Sequence, residues 1–307
     1  MSILIDEDTT FIVQGITGRE AVNLTRECLD YGAGAKIVGG VTPGRLGRDV
    51  HGVPVFDTVS QAVEHHGAPI AGAVVTVPPA FTKDAVFEAI ENGIELIVIV
   101  TERIPRGDVA QMVELAGARG ARIIGPNCLG VMVPDVVKMG GIGGPARDAA
   151  KAYSSGPVGV ISRSGGMTTE MSSTLTAAGL GQTTAVSIGG DAIIGSSYAE
   201  LMPLFEADDQ TEAIVIYTEP GGRMEAELAR YVTEESERRL PIVAFMAGRF
   251  MDEMPGMSFG HAGTIVEGKE DTAAEKIARL ASAGIVVAEE IGEIPALVRE
   301  RIGATVR

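Results

Sequence analysis

The stretch FIVQGITGREAVNL, residues 11–24, decides the fold of this chain because it holds one complete strand–turn–helix unit. The apolar run FIVQ predicts a strand, the two glycines predict a turn, and REAVNL predicts the start of a helix. At such a turn Gly15 and Gly18 let the backbone approach a ligand, and the free N–H groups of the helix favour an anion such as phosphate. The same glycines also suit a plain strand-to-helix reversal, so both interpretations stay open on this stretch alone.

The turn differs from a dinucleotide-binding fingerprint. Ala21 stands where the third glycine of that fingerprint would be, and no clear acidic residue ends the second predicted strand to bind a ribose. A nicotinamide-binding domain is therefore not expected. The second strand is followed by GGVTPGRLG, in which Arg45 either holds a second phosphate or lies on the surface as an ordinary arginine.

Short β-branched runs alternate with helix-length segments from one end of the chain to the other. The runs cover residues 11–14, 35–41, 71–77, 94–100 and 121–124 in the first half, and 157–162, 182–188, 212–218, 241–247 and 284–290 in the second. This alternation predicts two doubly wound α/β domains with parallel sheets, whose strands are covered on both faces. Between residues 130 and 157 the periodicity fails in a stretch rich in Gly, Pro and Ser, which predicts the connection into the second domain.

Composition excludes several classes of protein. A chain of 307 residues with 45% hydrophobic and 21% charged residues is expected to be globular with two domains, and its formal net charge of −16 argues against general nucleic-acid binding. The N-terminus lacks the pattern of a secretory signal, and the longest apolar runs are far shorter than the roughly 20 residues that cross a bilayer. A soluble chain is expected.

Cys28 and Cys128 are too few for a disulfide framework, so reduced thiols in an intracellular protein are predicted.

Four strands of the second half run directly into polar, glycine-bearing turns, namely SRSGG, GGDAIIG, EPGG and GRF. Ligands of open α/β sheets bind at the carboxyl ends of the strands, so these turns are expected to converge on one site. Ser162 and Ser164 predict the cap of a helix that begins near Gly165, and such a helix end binds anions. Capping does not explain why two glycines follow each other there, since glycine weakens a first helical turn.

His261 lies between two glycines in SFGHAGTIVEGK, residues 258–269. A lone histidine is commonly structural, and a metal site is not expected, because the other histidines and the cysteines form no ligand spacing with it. A serine hydrolase with Ser164 as nucleophile is the more serious alternative, but SRSGG lacks glycines on both sides of that serine. The remaining interpretation makes the histidine itself a nucleophile.

Over nearly its whole length the chain resembles the alpha subunit of succinyl-CoA synthetase. The matching segments, in order, are MSILIDEDT, QGITG, VGGVTPGRLG, GVPVFDTVSQAV, VTERIP, IGPNCLGV, GVISRSGGMTTE, IGGDAIIGS, FEADDQTEAIV, EPGG, GHAGTI and TAAEK. The resemblance implies an α/β fold with an N-terminal Rossmann-like CoA-binding domain, residues 1–130, and a flavodoxin-like, doubly wound ligase domain, residues 131–307. It implies a nucleotide-dependent acid–thiol ligase that forms an acyl-CoA through a phosphohistidine and an acyl phosphate.

The resemblance also implies the residue roles. His261 would carry the phosphoryl group and Glu219 would fix its imidazole tautomer. Ser162, Ser164 and Gly165 would bind the phosphoryl group. The CoA-binding residues would be Gly15, Thr17, Gly18, Arg19, Arg45, Val77, Pro78 and Asn127, and those on the acid side Cys128, Leu129, Gly166 and Met167.

The family's chemistry requires further components. Coenzyme A is the acceptor, and ATP or GTP with Mg²⁺ is expected on a beta subunit with an ATP-grasp domain. A small carboxylate substrate, a hetero-oligomer of alpha–beta pairs and a cytoplasmic location are expected, with no nucleic acid and no membrane.

Several departures from the family's usual sequence leave the acid open. Ala21, Arg45 and Leu129 differ from the common residues, and SRSGGM is closer to ATP-citrate lyase and citryl-CoA synthetase. Malate, citrate or another small carboxylate is therefore an alternative substrate, and a CoA-binding relative without catalysis is a second alternative.

Overall fold

The computed structural model describes residues 3–254, 257, 261, 263–264 and 272–305, which form two seven-stranded sheets with helices on both faces. The first sheet contains β1 (Thr10–Gln14), β2 (Lys36–Val41), β3 (Asp49–Val50), β4 (Val53–Phe56), β5 (Gly72–Val75), β6 (Leu96–Ile99) and β7 (Arg122–Ile124). Its helices are α1 (Arg19–Leu29), α2 (Val59–His66), α3 (Pro79–Glu91) and α4 (Arg106–Arg119).

The strands of the first sheet lie in the order β3-β4-β2-β1-β5-β6-β7, and all neighbours are parallel except β3 and β4. Without the two-residue β3, this is the Rossmann order, whose direction reverses between β1 and β5. The five predicted strands of this half are confirmed. The short β3–β4 hairpin was not predicted, because Pro54 interrupts a run that would otherwise indicate a strand.

The second sheet contains β8 (Gly130–Val133), β9 (Val137–Met139), β10 (Ser155–Ser162), β11 (Gln182–Ser187), β12 (Ala213–Thr218), β13 (Ile242–Met246) and β14 (Val286–Ala288). Its helices are α5 (Ala146–Ala152), α6 (Gly165–Ala177), α7 (Tyr198–Ala207), α8 (Met224–Arg230), α9 (Ala273–Ser282) and α10 (Ile294–Thr305). A π-helical turn covers Tyr231–Glu235, and 3₁₀ turns cover Arg249–Glu253 and Ile291–Glu293.

The order of the second sheet is β14-β13-β12-β10-β11-β8-β9. Its five parallel strands follow the flavodoxin-like order, in which the direction reverses between β10 and β12. All five predicted strands of this half are present. The two reversal points matter for function because clefts form where neighbouring strands send their connections to opposite faces.

Residues 130–157, interpreted as the connection into the second domain, contain regular structure and contribute two strands to the second sheet. The segment forms the antiparallel hairpin β8–β9, which pairs with β11, and then the helix α5. Its glycines allow the two strands of the hairpin to approach closely. A Cβ on Gly130 would lie 2.1 Å from the carbonyl oxygen of Met139, and a Cβ on Gly140 would lie 2.5 Å from the carbonyl oxygen of Leu129. Glycine content therefore reflects packing here rather than a flexible linker.

One apolar cluster runs from the first sheet into the second. It includes Val13 of β1, Val98 of β6, Val131 of β8 and Ile161 of β10, all of which are fully buried. Within the described part of the chain, no helix is long and apolar enough to cross a membrane.

Candidate active site

A cavity of about 870 Å³ opens at the reversal point between β1 and β5. Six of the predicted CoA-binding residues line it, namely Gly15, Thr17, Gly18, Arg19, Val77 and Pro78. Arg45 is outside the lining; it lies exposed in the next loop, where its backbone N–H donates to Asp57 Oδ1 at 2.9 Å. We call this space the N-terminal cavity.

The glycine turn gives the N-terminal cavity its shape. Gly15 has a φ of +84°, and a Cβ at this position would lie 2.9 Å from Thr76 Oγ1. Gly18 caps α1 without offering a side chain, so the first-turn N–H groups of α1 are not bonded by a capping residue within the described chain. The turn therefore presents backbone donors and a positive helix end beside the cavity.

A second cavity, of about 300 Å³, brings together residues from both sheets. We call it the histidine cavity. Its predicted members are Asn127, Cys128, Leu129, Ser164, Gly165, Gly166 and His261, and Val100 and Glu102 complete the lining. Ser162 is buried and outside the lining, and the half-buried Met167 packs against the apolar core instead of lining the cavity.

The N-terminus of α6 faces the histidine cavity. Ser164 is the N-cap and accepts from the backbone N–H of Met167 at 3.4 Å, while Ser162 Oγ accepts from the N–H of Ser164 at 3.1 Å and donates to its carbonyl at 2.7 Å. The predicted cap is confirmed. Gly165 is required by packing, because a Cβ there would lie 2.4 Å from Leu129 Cγ, whereas Gly166 has open space around it.

His261 faces Glu219, which follows β12. The Nδ1 atom of His261 lies 2.9 and 2.8 Å from the two carboxylate oxygens of Glu219, and the hydroxyl of Tyr217 donates to Glu219 Oε1 at 3.1 Å. Glu219 is 7% exposed. When neutral His261 carries its proton on Nδ1 and donates it to Glu219, its Nε2 keeps a free lone pair.

The pair shifts both pKa values in the directions expected of opposite charges. The hydrogen bond that His261 donates to Glu219 raises the pKa of His261, and this outweighs the opposing effect of burial. Burial alone would raise the pKa of Glu219, but its hydrogen bond and attraction to His261, together with the charge of Arg163, lower it overall. The two directions agree with a single shared ion pair.

We expect His261 to titrate above its ordinary pKa of about 6.5, and Glu219→Gln to lower this value. Since the folded pKa is raised, the stability contributed by the imidazolium is complete below about pH 6.5 and is lost as the pH rises through the folded pKa. An NMR titration of the imidazole measures the midpoint, and thermal unfolding from pH 5 to 9 measures the stability. A wild-type midpoint at or below 6.5 would contradict the ion pair.

Two residues that the sequence reasoning did not single out lie beside this pair. Arg163 is 2% exposed; among the described residues its Nε and Nη1 have no hydrogen-bond partner, and its Nη2 donates to the Asp191 carbonyl at 3.5 Å. The Asp191 carboxylate accepts from Asn127 Nδ2 at 3.0 Å. Arg163 stands in the turn SRSGG and Asp191 in the turn GGDAIIG, and this position after a predicted strand is the sequence feature that indicates a place near the site.

Three of the four predicted turns converge on His261. They are SRSGG at the N-terminus of α6, EPGG through Glu219, and GGDAIIG through Gly190, where a Cβ would lie 2.5 Å from the Cγ of His261. The GRF turn does not converge. Its Arg249 pairs with Glu289 and donates to the carbonyl of Ala288 at 3.2 Å, because an acidic residue follows the neighbouring edge strand β14.

Cys128 lines the histidine cavity without offering a reactive thiol. Its Sγ points to the carbonyl oxygens of Ile99 and Ile124 at 3.2 and 3.5 Å, and burial raises its pKa to about 12. Both cysteines are free and buried. Cys128 therefore contributes shape rather than nucleophilic chemistry.

Sequence comparison places this geometry in a family. A CoA binding domain model matches residues 6–103, and a CoA-ligase model matches residues 161–286. The alpha 1 subunit of an ADP-forming succinate–CoA ligase of Archaeoglobus fulgidus is 41% identical over 299 residues, covering 97% of this chain and 98% of the relative. The corresponding alpha subunit of Staphylococcus aureus is 41% identical over 294 residues, covering 96% and 93%.

Solved structures support the same fold. ATP citrate lyase of Methanosaeta concilii superposes with a TM-score of 0.89 at 22% identity, covering 98% of this chain but only 51% of the lyase chain. An acetyl-coenzyme A synthetase of Ca. Korarchaeum cryptofilum superposes with a TM-score of 0.67 at 20% identity, over 96% of this chain and 59% of the other. The sequence resemblance is confirmed by the matches over nearly the full length: this chain belongs to the family of succinate–CoA ligase alpha subunits.

Proposed function

We propose that this protein is the alpha subunit of a nucleotide-dependent acid–thiol ligase that joins a small carboxylic acid, succinate first among them, to coenzyme A. The observation that carries the proposal is the His261–Glu219 pair, which lies in one cavity with the N-terminus of α6. The 41% identity to ADP-forming succinate–CoA ligase alpha subunits favours succinate over other acids.

His261 is the phosphoryl carrier in this proposal. The carboxylate of Glu219 holds the proton on Nδ1, which leaves the lone pair of Nε2 free to attack the terminal phosphorus of a nucleoside triphosphate. The N–P bond forms as the bond to the nucleoside diphosphate breaks. Backbone N–H groups at the start of α6 and the hydroxyl of Ser164 then stabilise the phosphoryl charge.

The second half of the reaction moves the phosphoryl group to the acid. A carboxylate oxygen attacks phosphorus, the N–P bond breaks, and an acyl phosphate forms beside Asn127 and Leu129. The thiol of CoA then attacks the acyl carbon and releases phosphate. The helix end that held the phosphohistidine is well placed to hold this leaving phosphate as well.

The N-terminal cavity fits coenzyme A. Its lining combines two kinds of group: the Gly15–Gly18 turn and Arg19 suit phosphate oxygens, whereas Val77 and Pro78 suit the apolar arm. Arg45 remains a predicted phosphate contact from the adjacent loop, and Asn127 a predicted contact near the thiol.

The nucleotide is proposed to come from a beta subunit. The relatives' names call them alpha subunits, and neither family model matched here is one for nucleotide binding. An ATP-grasp domain with Mg²⁺ on the partner, an assembly of alpha–beta pairs and a cytoplasmic location complete the proposal.

The test is peptide mapping after the chain, purified with its beta partner, is exposed to ATP and Mg²⁺. One acid-labile phosphoryl group is expected on the peptide with His261, and CoA should discharge it only when the correct acid is present. Assays with succinate, malate and citrate identify that acid. No label on this chain, under conditions that label the Staphylococcus aureus relative, would reject the proposal.

We expect Gly15→Ala to weaken CoA binding by roughly tenfold. An alanine in the left-handed backbone conformation of Gly15 is strained by about 1–2 kcal/mol, and its Cβ would also collide with Thr76. The turn must therefore move away from the ligand. Calorimetric titration with CoA measures the effect. Gly120→Ala is the matched control, because Gly120 has a φ of +72° at the end of α4 but open space around it. Equal CoA affinity in both variants would remove the turn from the binding site.

A further inference from the structure

A buried ion pair lies next to the histidine cavity but outside its lining. Glu225, in the first turn of α8, and Lys276, in α9, approach to 2.6 Å between Oε2 and Nζ, and their side chains are 0% and 2% exposed. Taking two charges out of water is costly, and apolar replacements of buried pairs are often equally stable. A contribution to folding stability therefore does not explain why this pair is buried here.

Three further bonds of the pair reach the end of β12 and the turn that follows it. Lys276 Nζ donates to the backbone carbonyl of Glu219 at 3.0 Å and to that of Gly221, and the other Glu225 oxygen accepts from the hydroxyl of Thr218. The pair thus holds the end of β12 through Thr218 and the turn after it through two backbone carbonyls.

The two residues after Pro220 in this turn are glycines, which have the least intrinsic conformational restraint. Gly221 and Gly222 have φ values of +83° and +70°, and glycine loses more conformational freedom than any other residue when it is fixed. The Glu219 side chain bonds to Tyr217 and to His261, but its backbone position depends on what holds the turn.

We propose that Lys276 and Glu225 form a positioning pair that fixes the backbone of Glu219, so that its carboxylate stays on Nδ1 of His261. The inference rests on the proposed function, since the purpose of the placement is to keep Nε2 available for the phosphoryl group. Lys276 acts through Glu219 and does not touch the reacting atoms. Its ammonium group donates to the carboxylate of Glu225 and to two carbonyls of the turn after β12, which a merely space-filling residue would not require.

The test uses the full chain with the double substitution Lys276→Met and Glu225→Gln, which removes both charges together and leaves no lone buried ion. Nitrogen NMR of the His261 imidazole reports which ring nitrogen carries the proton. We expect the Nδ1-protonated fraction and the titration midpoint to fall. We also expect phosphorylation with the beta partner to slow by about tenfold, the lower end of the effect of removing a group that orients a metal-binding histidine.

A matched control is available in the hairpin β8–β9. Lys138 is also fully buried and donates to backbone carbonyls, those of Ile142 and Gly144, but it lies in another part of the fold. Lys138→Met should leave the His261 tautomer unchanged. CoA affinity should be the same in the double variant as in the wild type.

The outcomes separate this inference from the proposed function. The NMR measurement needs no partner or nucleotide, so an unphosphorylated wild type would reject the proposed function without deciding the role of the pair. A folded double variant with the wild-type tautomer overturns the inference. If the double variant does not fold, Thr218→Val replaces it: this isosteric change removes one bond to Glu225, and an unchanged tautomer there overturns the inference too.

Discussion

Replacing His261 with glutamine is expected to abolish phosphorylation of the chain and to lower the overall rate of acyl-CoA formation by roughly 10⁴-fold or more. Glutamine retains a polar group that can face Glu219, but its amide nitrogen is not a nucleophile toward phosphorus. The variant therefore tests the chemistry of Nε2 rather than the packing of the cavity. Rapid-quench labelling with radioactive ATP, in the presence of the beta partner, measures the loss.

The same variant should bind CoA normally, since the N-terminal cavity contains no part of the histidine site. His65→Gln is a suitable control, because His65 is exposed in the last turn of α2. Phosphoryl label that persists in His261→Gln would assign the carrier role to another residue.

Glu219→Gln is expected to slow phosphorylation by about 10³-fold. An amide can donate to Nδ1, which favours the tautomer with the proton on Nε2 and occupies the lone pair that must attack; an equivalent change in a serine protease triad costs about 10⁴. The cavity should keep its shape, because the two side chains have nearly the same size. Single-turnover labelling gives the rate, and nitrogen NMR gives the tautomer.

A second carboxylate, the half-buried Glu206, supplies the control for this change. Glu206 accepts from the hydroxyls of Tyr231 and Ser236, both at 2.8 Å, so Glu206→Gln disturbs a similar set of hydrogen bonds away from the site. It should leave the tautomer of His261 as it is. A Glu219→Gln variant that loses less than about tenfold in rate would mean that the imidazole is oriented by something else.

Ten of the fourteen described strands could be predicted from the sequence, because parallel strands are covered on both faces and appear as continuous apolar runs, whereas the hairpins β3–β4 and β8–β9 could not. The α6 cap could be predicted because SRS precedes the helix. The pairing of His261 with Glu219 could not be derived from spacing, since 42 positions separate them, and it was predicted only through the family resemblance.

Other parts of the site depend on tertiary contacts. Arg163 follows a buried strand, and no local pattern indicates that its guanidinium turns inward. Lys276 has a clearer sequence signal: it lies between Ala273 and Leu280 at the helical spacing of a buried stripe, where a lysine is unusual. Glu225 stands in the same relation to Leu228 and Ala229 of α8.

The apolar cluster that passes from Val98 in the first sheet to Val131 and Ile161 in the second has a thermodynamic consequence. Two units joined only by a linker can melt separately, but units that share buried side chains cannot expose one set without the other. The chain should therefore lose its structure in a single cooperative transition. Coenzyme A bound in the first half then raises the melting temperature of the half that carries His261.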